Sequence, residues 1–229
     1  NDVLKYGVGQ ALKEDGRTVY LSATPSEEIL EKVNRKTCSL IRLPARYHGQ
    51  PVPVPEILKM KLPEKNTTEA PRLLKHSCLA ELRVICEELM LQGVLLVFVP
   101  TVAMVREWVK VFRDMFGDKQ VEGSWGADPK RRDKILGFRT GKIRIFVSTS
   151  ILERGVTING VQVIVLYAHH ELYDVRTLVQ MAGRTGRTAQ CPTGRALFLA
   201  PKKAEPMRAA LDWIKEQNAL AREGGFLDV

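Results

Sequence analysis

Short β-branched runs alternate with stretches of helical periodicity along most of this 229-residue chain. Residues 94–99, 143–148, 161–167 and 195–199 read as strands, and Val121 falls in a short one. Between them the apolar residues recur at helical spacing over 73–92, 101–115, 129–138, 175–182 and 205–222. Such spacing puts one apolar stripe on each helix, while the strands are apolar on both faces. That combination leaves few architectures open: a mostly parallel sheet with helices on both faces. One α/β domain fits residues 71–229. Upstream, 18–21 reads as a strand, Thr24 or Ser26 can cap a helix running to about residue 34, and 38–43 reads as another strand. Residues 1–45 are therefore expected to be the last strand and helix of a different domain plus a crossing segment. Residues 46–70, rich in prolines and turn formers, are expected to be a linker or surface loop.

Composition excludes several classes. The chain is 45% hydrophobic and 27% charged, ordinary for a globular protein. No apolar run approaches the ~20 residues that span a bilayer. The first residues lack a signal-peptide pattern, so a cytoplasmic setting is expected. The absence of an initial methionine suggests a fragment. Cys38, Cys78, Cys86 and Cys191 show no Cys-x-x-Cys pair, so neither a zinc site nor a redox motif is legible. The net charge is +9, with Lys130, Arg131, Arg132, Lys134, Arg139, Lys142 and Arg144 in one stretch. Such a run suits a phosphate polyanion through counterion release, and equally suits a solvated helix face.

Four local patterns carry chemistry. Gln180-Met-Ala-Gly183-Arg184-Thr-Gly-Arg187 places two guanidinium forks near one helix end, where they suit the oxygens of a transferring phosphoryl group. The blander reading is a basic helix C-terminus complementing its dipole. Ser148-Thr149, followed by Gly155 and Thr157, leaves a buried strand at the carboxyl edge of the sheet, where ligands of open α/β sheets bind. Thr149 can donate to a backbone phosphate, and Thr157 offers a hydroxyl to a ribose or a metal-bound water. Thr101, after the strand 94–99, opens a helix whose free amides suit an anion, or simply caps it. Ser22-Ala-Thr24-Pro follows a fourth strand end and by itself is a common turn. His169 and His170 fit strand-end packing or coupling better than a metal site. Trp125 reads as a half-buried anchor, with base stacking as the rival. Trp213 reads as core.

In this order the four patterns resemble helicase motifs III, IV, V and VI of superfamily 2, and the fold this implies is a RecA-like helicase C-terminal domain. Residues 151–157, 163–171 and 178–184, with Tyr20-Leu-Ser-Ala-Thr-Pro and Arg46-Tyr-His-Gly-Gln-Pro, look like the ComFA family of competence DNA-uptake ATPases. The resemblance implies an ATP-dependent, single-strand-DNA-stimulated motor at the inner face of the cell membrane, with ComFC and DprA-like proteins as partners. It implies that Arg184 and Arg187 act as arginine fingers, positioned with the help of Gln180. Gly155, Thr157 and Gly183 take the nucleotide side, and Ser148, Thr149 and Thr101 take nucleic-acid phosphates.

Two expected features are missing. No Gly-x-x-x-x-Gly-Lys-Ser/Thr occurs, and no Asp-Glu metal motif. ATP and Mg2+ are then expected to be held mainly by an N-terminal RecA-like lobe, and zinc only by the family's N-terminal four-cysteine module. The chain alone is expected to be catalytically silent. A primosomal or recombination helicase, and a non-enzymatic nucleic-acid-binding or docking module, are the rival readings.

Overall fold

The computed structural model describes residues 6–7, 10–11, 13, 16–62, 76–149 and 158–228. The chain divides into two compact units, Asn1–Ile41 and Arg42–Val229.

The first unit contains helix α1, Glu27–Asn34. Glu27 and Glu28 sit in its first turn and Lys32 in its last, the polarity that opposes the helix dipole. Pairs at i,i+4 spacing, Glu28 with Lys32 and Glu31 with Arg35, brace its exposed side at 3.6 and 3.4 Å. Ser26 occupies the N-cap position without a side-chain bond to the helix. The Ser22 hydroxyl donates to the Thr24 carbonyl at 2.8 Å, closing the Ser-Ala-Thr turn. Residues 18–21 and 38–43, expected as strands, are irregular. A strand needs a hydrogen-bonded neighbour, and neither segment has one among the described residues.

The second unit is a six-stranded sheet in the order β1-β6-β5-β2-β4-β3, parallel throughout. Its strands are β1 (Glu56–Lys59), β2 (Val94–Phe98), β3 (Val121–Ser124), β4 (Ile145–Ser148), β5 (Val161–Leu166) and β6 (Ala196–Ala200). Its helices are α2 (His76–Met90), α3 (Val102–Phe116), α4 (Arg131–Arg139), α5 (Val175–Ala182) and α6 (Glu205–Glu223). Every residue of β4, β5 and β6 is buried, as a strand covered on both faces requires.

The two faces hold separate cores. On one, Leu82, Cys86 and Leu89 of α2 and Val105, Trp108 and Phe112 of α3 meet Leu95 and Val97. On the other, Ile135 and Phe138 of α4, Leu178 and Met181 of α5, and Met207 and Ile214 of α6 meet Leu96 and Phe98. The side-chain alternation of β2 feeds both cores in turn. Trp108 is fully buried, so its truncation to alanine is worth about 3–5 kcal/mol. Trp213 packs half-buried against the second core.

The segment 46–70, expected as a linker, contributes the edge strand β1. The register is Glu56 with Leu197 through Lys59 with Ala200, and the Met60 N–H donates to the Ala200 carbonyl at 2.9 Å. Arg195 clamps this edge. It grips Glu56 through two bonds of 2.8 and 3.0 Å and reaches Glu88 of α2 at 2.6 Å. The Arg195 hydrogen bond holds the Glu56 carboxyl below its ordinary range.

Candidate nucleotide and nucleic-acid site

Three strands deliver side chains to the carboxyl edge of the sheet. β2 leads into Thr101, which caps α3 by accepting the Met104 N–H at 3.2 Å. The cap uses an oxygen lone pair and leaves the Thr101 O–H as a donor. β4 lies beside β2, with Ser148 in register with Phe98, and leads into half-buried Thr149. Thr101 and Thr149 thus leave neighbouring strands on one edge. Ser148 is 1% exposed, and its hydroxyl donates to the Ser124 carbonyl at 3.0 Å. Its contact is with β3, so it fixes the edge from inside. Gly155 and Thr157 lie outside the described residues.

Trp125 leaves β3 at the same edge. It is half-buried against the α2–α3 core, with the Arg106 guanidinium 5.0 Å and the Lys134 ammonium 5.8 Å from its ring centre. The anchor reading holds, and the ring also carries a cation. Beyond β5 the chain turns sharply: buried Tyr167 takes φ 56, a left-handed value costly for a bulky residue. The Tyr167 carbonyl then accepts the His170 N–H at 2.8 Å, and His170 Nδ1 accepts the Leu172 N–H at 3.2 Å. His170 is buried beside Tyr173, as strand-end packing requires. Among the described residues no three His, Cys, Asp or Glu side chains group as metal ligands. No described helix is long and apolar enough to cross a membrane.

The basic stretch divides by role and by place. Lys134 is built into the fold: its ammonium contacts Asp128 at 3.0 Å, Glu122 at 3.5 Å and the Gly123 carbonyl at 2.8 Å. Arg144 donates to the carbonyls of Met90 and Gly93 at 2.6 and 3.3 Å. Lys130, Arg132, Arg139 and Lys142 are exposed. Because α4 runs from the carboxyl end of β3 to the amino end of β4, Lys130 and Arg132 lie near the carboxyl edge and Arg139 and Lys142 near the other.

The arginine motif lies elsewhere. α5 connects parallel β5 to β6, so it must run back and end at the amino edge. Asp174 starts it, accepting the Thr177 N–H at 2.8 Å. A hydrogen bond from the Thr177 side chain, and then this one, outweigh burial and hold the Asp174 carboxyl below its ordinary range. Leu178, Met181 and Ala182 face the core, and Gln180 is exposed. After Gly183 the helix tightens, Arg184 and Thr185 donating their N–H groups to the carbonyls of Met181 and Ala182 at 3.1 Å each. Thr185 is fully buried, and Gly186 turns the chain at φ +56. A Cβ on Gly194 would sit 3.1 Å from the carbonyl of Val161, the first residue of β5, and 3.2 Å from Thr185. The turn is thereby packed on the amino edge. Arg184 is half-buried and Arg187 exposed. Burial, and then the neighbouring charge of Arg187, lower the Arg184 guanidinium. The turn thus brings Arg184 and Arg187 close enough at the amino edge for one charge to act on the other.

Three residues that local patterns did not single out complete this region. Arg46 Nη1 donates to the carbonyls of Thr185 and Gly186, and its Nη2 to Gly183 at 3.0 Å. His48 Nδ1 accepts the Gln50 N–H at 3.2 Å, which places the proton on Nε2, 3.0 Å from the Gly186 carbonyl. The Tyr47 hydroxyl accepts the Ala189 N–H at 3.1 Å. The stretch entered the family resemblance, but its residues otherwise read as a proline-rich connection, because their partners lie some 140 residues away in sequence.

Known proteins resemble this chain. The helicase conserved C-terminal domain family matches residues 77–189. The competence protein ComFA of Bacillus subtilis is 32% identical over 96% of this chain and 46% of its own length. ComFA of Streptococcus pneumoniae is 28% identical over 99% of the chain and 50% of its own. The chain spans about half the length of these relatives. Among solved structures, S. cerevisiae Dbp5 bound to RNA and ADP BeF3 superimposes with a TM-score of 0.56 at 20% identity, over 92% of this chain and 51% of that one. At that identity the likeness concerns the fold, which is RecA-like α/β. ATP and Mg2+ use is general to helicase families. The chain belongs to the ComFA family, spans about half of it, and carries its helicase-type C-terminal lobe.

Proposed function

We propose that this chain is the lobe of an ATP-driven single-stranded DNA translocase that closes over the nucleotide with Arg184 and Arg187 while gripping the strand along its opposite edge. One observation carries the reading: a single sheet presents phosphate-suited groups at both ends. Arg184 and Arg187 stand at the amino edge. Thr101, Thr149, Arg106, Lys130 and Arg132 gather toward the carboxyl edge. Rotation of a sheet stiffened by two cores moves both edges together, so a change at the nucleotide becomes displacement at the strand. Hydroxyl and basic contacts of this kind hold phosphates without reading bases.

The arginines act by charge. Their guanidinium forks stabilise charge developing on the transferred phosphoryl oxygens, an effect worth about 10³–10⁵ in rate where arginine fingers operate. Gln180, exposed one turn ahead, assists at the same seat. Gly155 and Thr157 are proposed for the ribose side. Mg2+ would supply charge neutralisation at the phosphates and would be held chiefly by groups outside this chain. Since the chain carries no phosphate-cradling Gly-x-x-x-x-Gly-Lys motif, it does not hydrolyse ATP alone. Similarity to two competence proteins supports a role in importing transforming DNA, at the inner face of the membrane with ComFC and DprA-like partners.

The test is DNA-stimulated ATPase of the full-length protein carrying Arg184→Ala or Arg187→Ala. The expected result is a rate lowered at least a hundredfold with ATP still bound. A wild-type rate would remove the finger assignment.

A further inference from the structure

The segment from Arg46 to Val52 is a strap rather than a passive connection. Arg46 and His48 grip the turn after α5. The Gly49 carbonyl accepts the Asp228 N–H at 2.9 Å. Val52 is held at both backbone groups by the Asn218 amide of α6, at 2.9 and 2.8 Å. The strap is thus pinned to three separate parts of the second unit.

Its grip at Arg46 has a particular geometry. The three carbonyls it takes belong to Gly183, Thr185 and Gly186, so they bracket Arg184 and immediately precede Arg187. They lie at and just past the C-cap of α5, near the helix end where the macrodipole favours a cation. A planar fork meets all three from two nitrogens in a fixed geometry, whereas the three donors of an ammonium radiate from a single nitrogen. The opposite side of the turn is closed as well, since a Cβ on Gly186 would overlap the Pro192 carbonyl. Burial, and then the charge of Arg187, lower the Arg46 guanidinium to about 10, so it remains a cation at neutral pH. A third positive charge beside two others is electrostatically costly, and three carbonyls offset that cost.

We propose that Arg46 is a positioning residue for ATP hydrolysis, fixing the Gly183–Gly186 backbone so that Arg184 and Arg187 are presented together to the nucleotide phosphates. The inference rests on the finger reading above. Arg46 acts through the turn and does not itself touch the nucleotide. Misplacement of catalytic groups by about 1 Å costs on the order of 10² in rate, so loss of this grip is expected to act on turnover.

The experiment uses full-length protein with Arg46→Ala, Arg46→Lys, Arg184→Ala and Asn218→Ala. Asn218→Ala releases the strap at Val52 without touching the turn. DNA-stimulated kcat, KM for ATP and thermal stability are measured for each. Arg46→Ala is expected to lower kcat at least tenfold with KM within about threefold, Arg46→Lys to recover part of it, and Asn218→Ala to keep wild-type kcat despite lost stability. If Arg46→Ala is too unstable to assay, Arg46→Lys carries the test with a severalfold loss of kcat at native stability. Wild-type kcat in the assayed Arg46 variant overturns the proposal. So does an equal fall in Asn218→Ala, which would make the effect one of general stability. If Arg184→Ala collapses the rate and the Arg46 variant does not, this inference alone fails. If Arg184→Ala is also inert, the finger reading fails with it.

Discussion

The Ser148 hydroxyl donates to the Ser124 carbonyl across 3.0 Å, so β4 and β3 are joined at the point where both strands end. That bond decides how Ser148 takes part at the carboxyl edge. On the proposed reading its neighbour Thr149 is the one that faces the strand, and Ser148 sets where Thr149 begins.

Ser148→Ala should therefore cost stability rather than binding. Losing a buried hydroxyl and leaving its acceptor short of a partner costs about 1–2 kcal/mol. Denaturant unfolding of the isolated chain should show that loss. Single-stranded DNA affinity of the full-length protein should change less than about twofold, while Thr149→Ala weakens it more. A tenfold loss of affinity in Ser148→Ala at unchanged stability would return the hydroxyl to the phosphate.

Gly186→Ala tests the turn that carries the arginines. Gly186 has φ +56, and a Cβ would overlap the Pro192 carbonyl oxygen. The left-handed conformation alone costs a side-chain-bearing residue about 1–2 kcal/mol, and the overlap adds to it. A fall in Tm of at least about 4 °C is expected by calorimetry. An unchanged Tm would mean that the turn rearranges freely, and the packing described here would be wrong.

Acid should loosen the anchor beneath Trp125. Burial tends to raise the Asp128 carboxyl, but hydrogen bonds from the Lys134 ammonium and the Lys130 N–H outweigh it and hold it below its ordinary 3.8. A carboxyl lowered by folding contributes stability that is complete above its unfolded value and lost as pH falls through the folded one. Unfolding free energy should thus decline below about pH 4, and Asp128→Asn should be less stable at pH 7 with a shallower decline. Parallel pH profiles for the two proteins would remove Asp128 from the account.

Local order was largely legible. A continuous apolar run located β2, and period-3.6 patterns located α3, α5 and α6, to within a residue or two, because each element must bury its apolar surface. β1 was not legible. An edge strand of four residues, with pattern exposed-half-half-exposed, carries too weak a periodic signal and is defined by its partner β6. Residues 18–21 failed in the opposite sense: β-branched composition favours a strand, and only a partner makes one. The basic stretch read as one feature because its residues are consecutive, and the fold sends Lys134 and Arg144 inward to carbonyls and carboxylates.

The sequence alone determined the parallel α/β class, and it supplied the order of the motifs and the reading of Arg184 and Arg187 as a phosphate-seeking pair. These follow from periodicity and from side-chain chemistry, both local properties. Only the tertiary structure decided that the pair stands at the amino edge while Thr101 and Thr149 stand at the carboxyl edge, and that Arg46 grips the turn between the arginines. Both depend on contacts between residues far apart in the chain, the Arg46 bonds spanning 137 to 140 positions. No periodicity records such a pairing, because the partners are brought together by the closing of the sheet and not by their spacing.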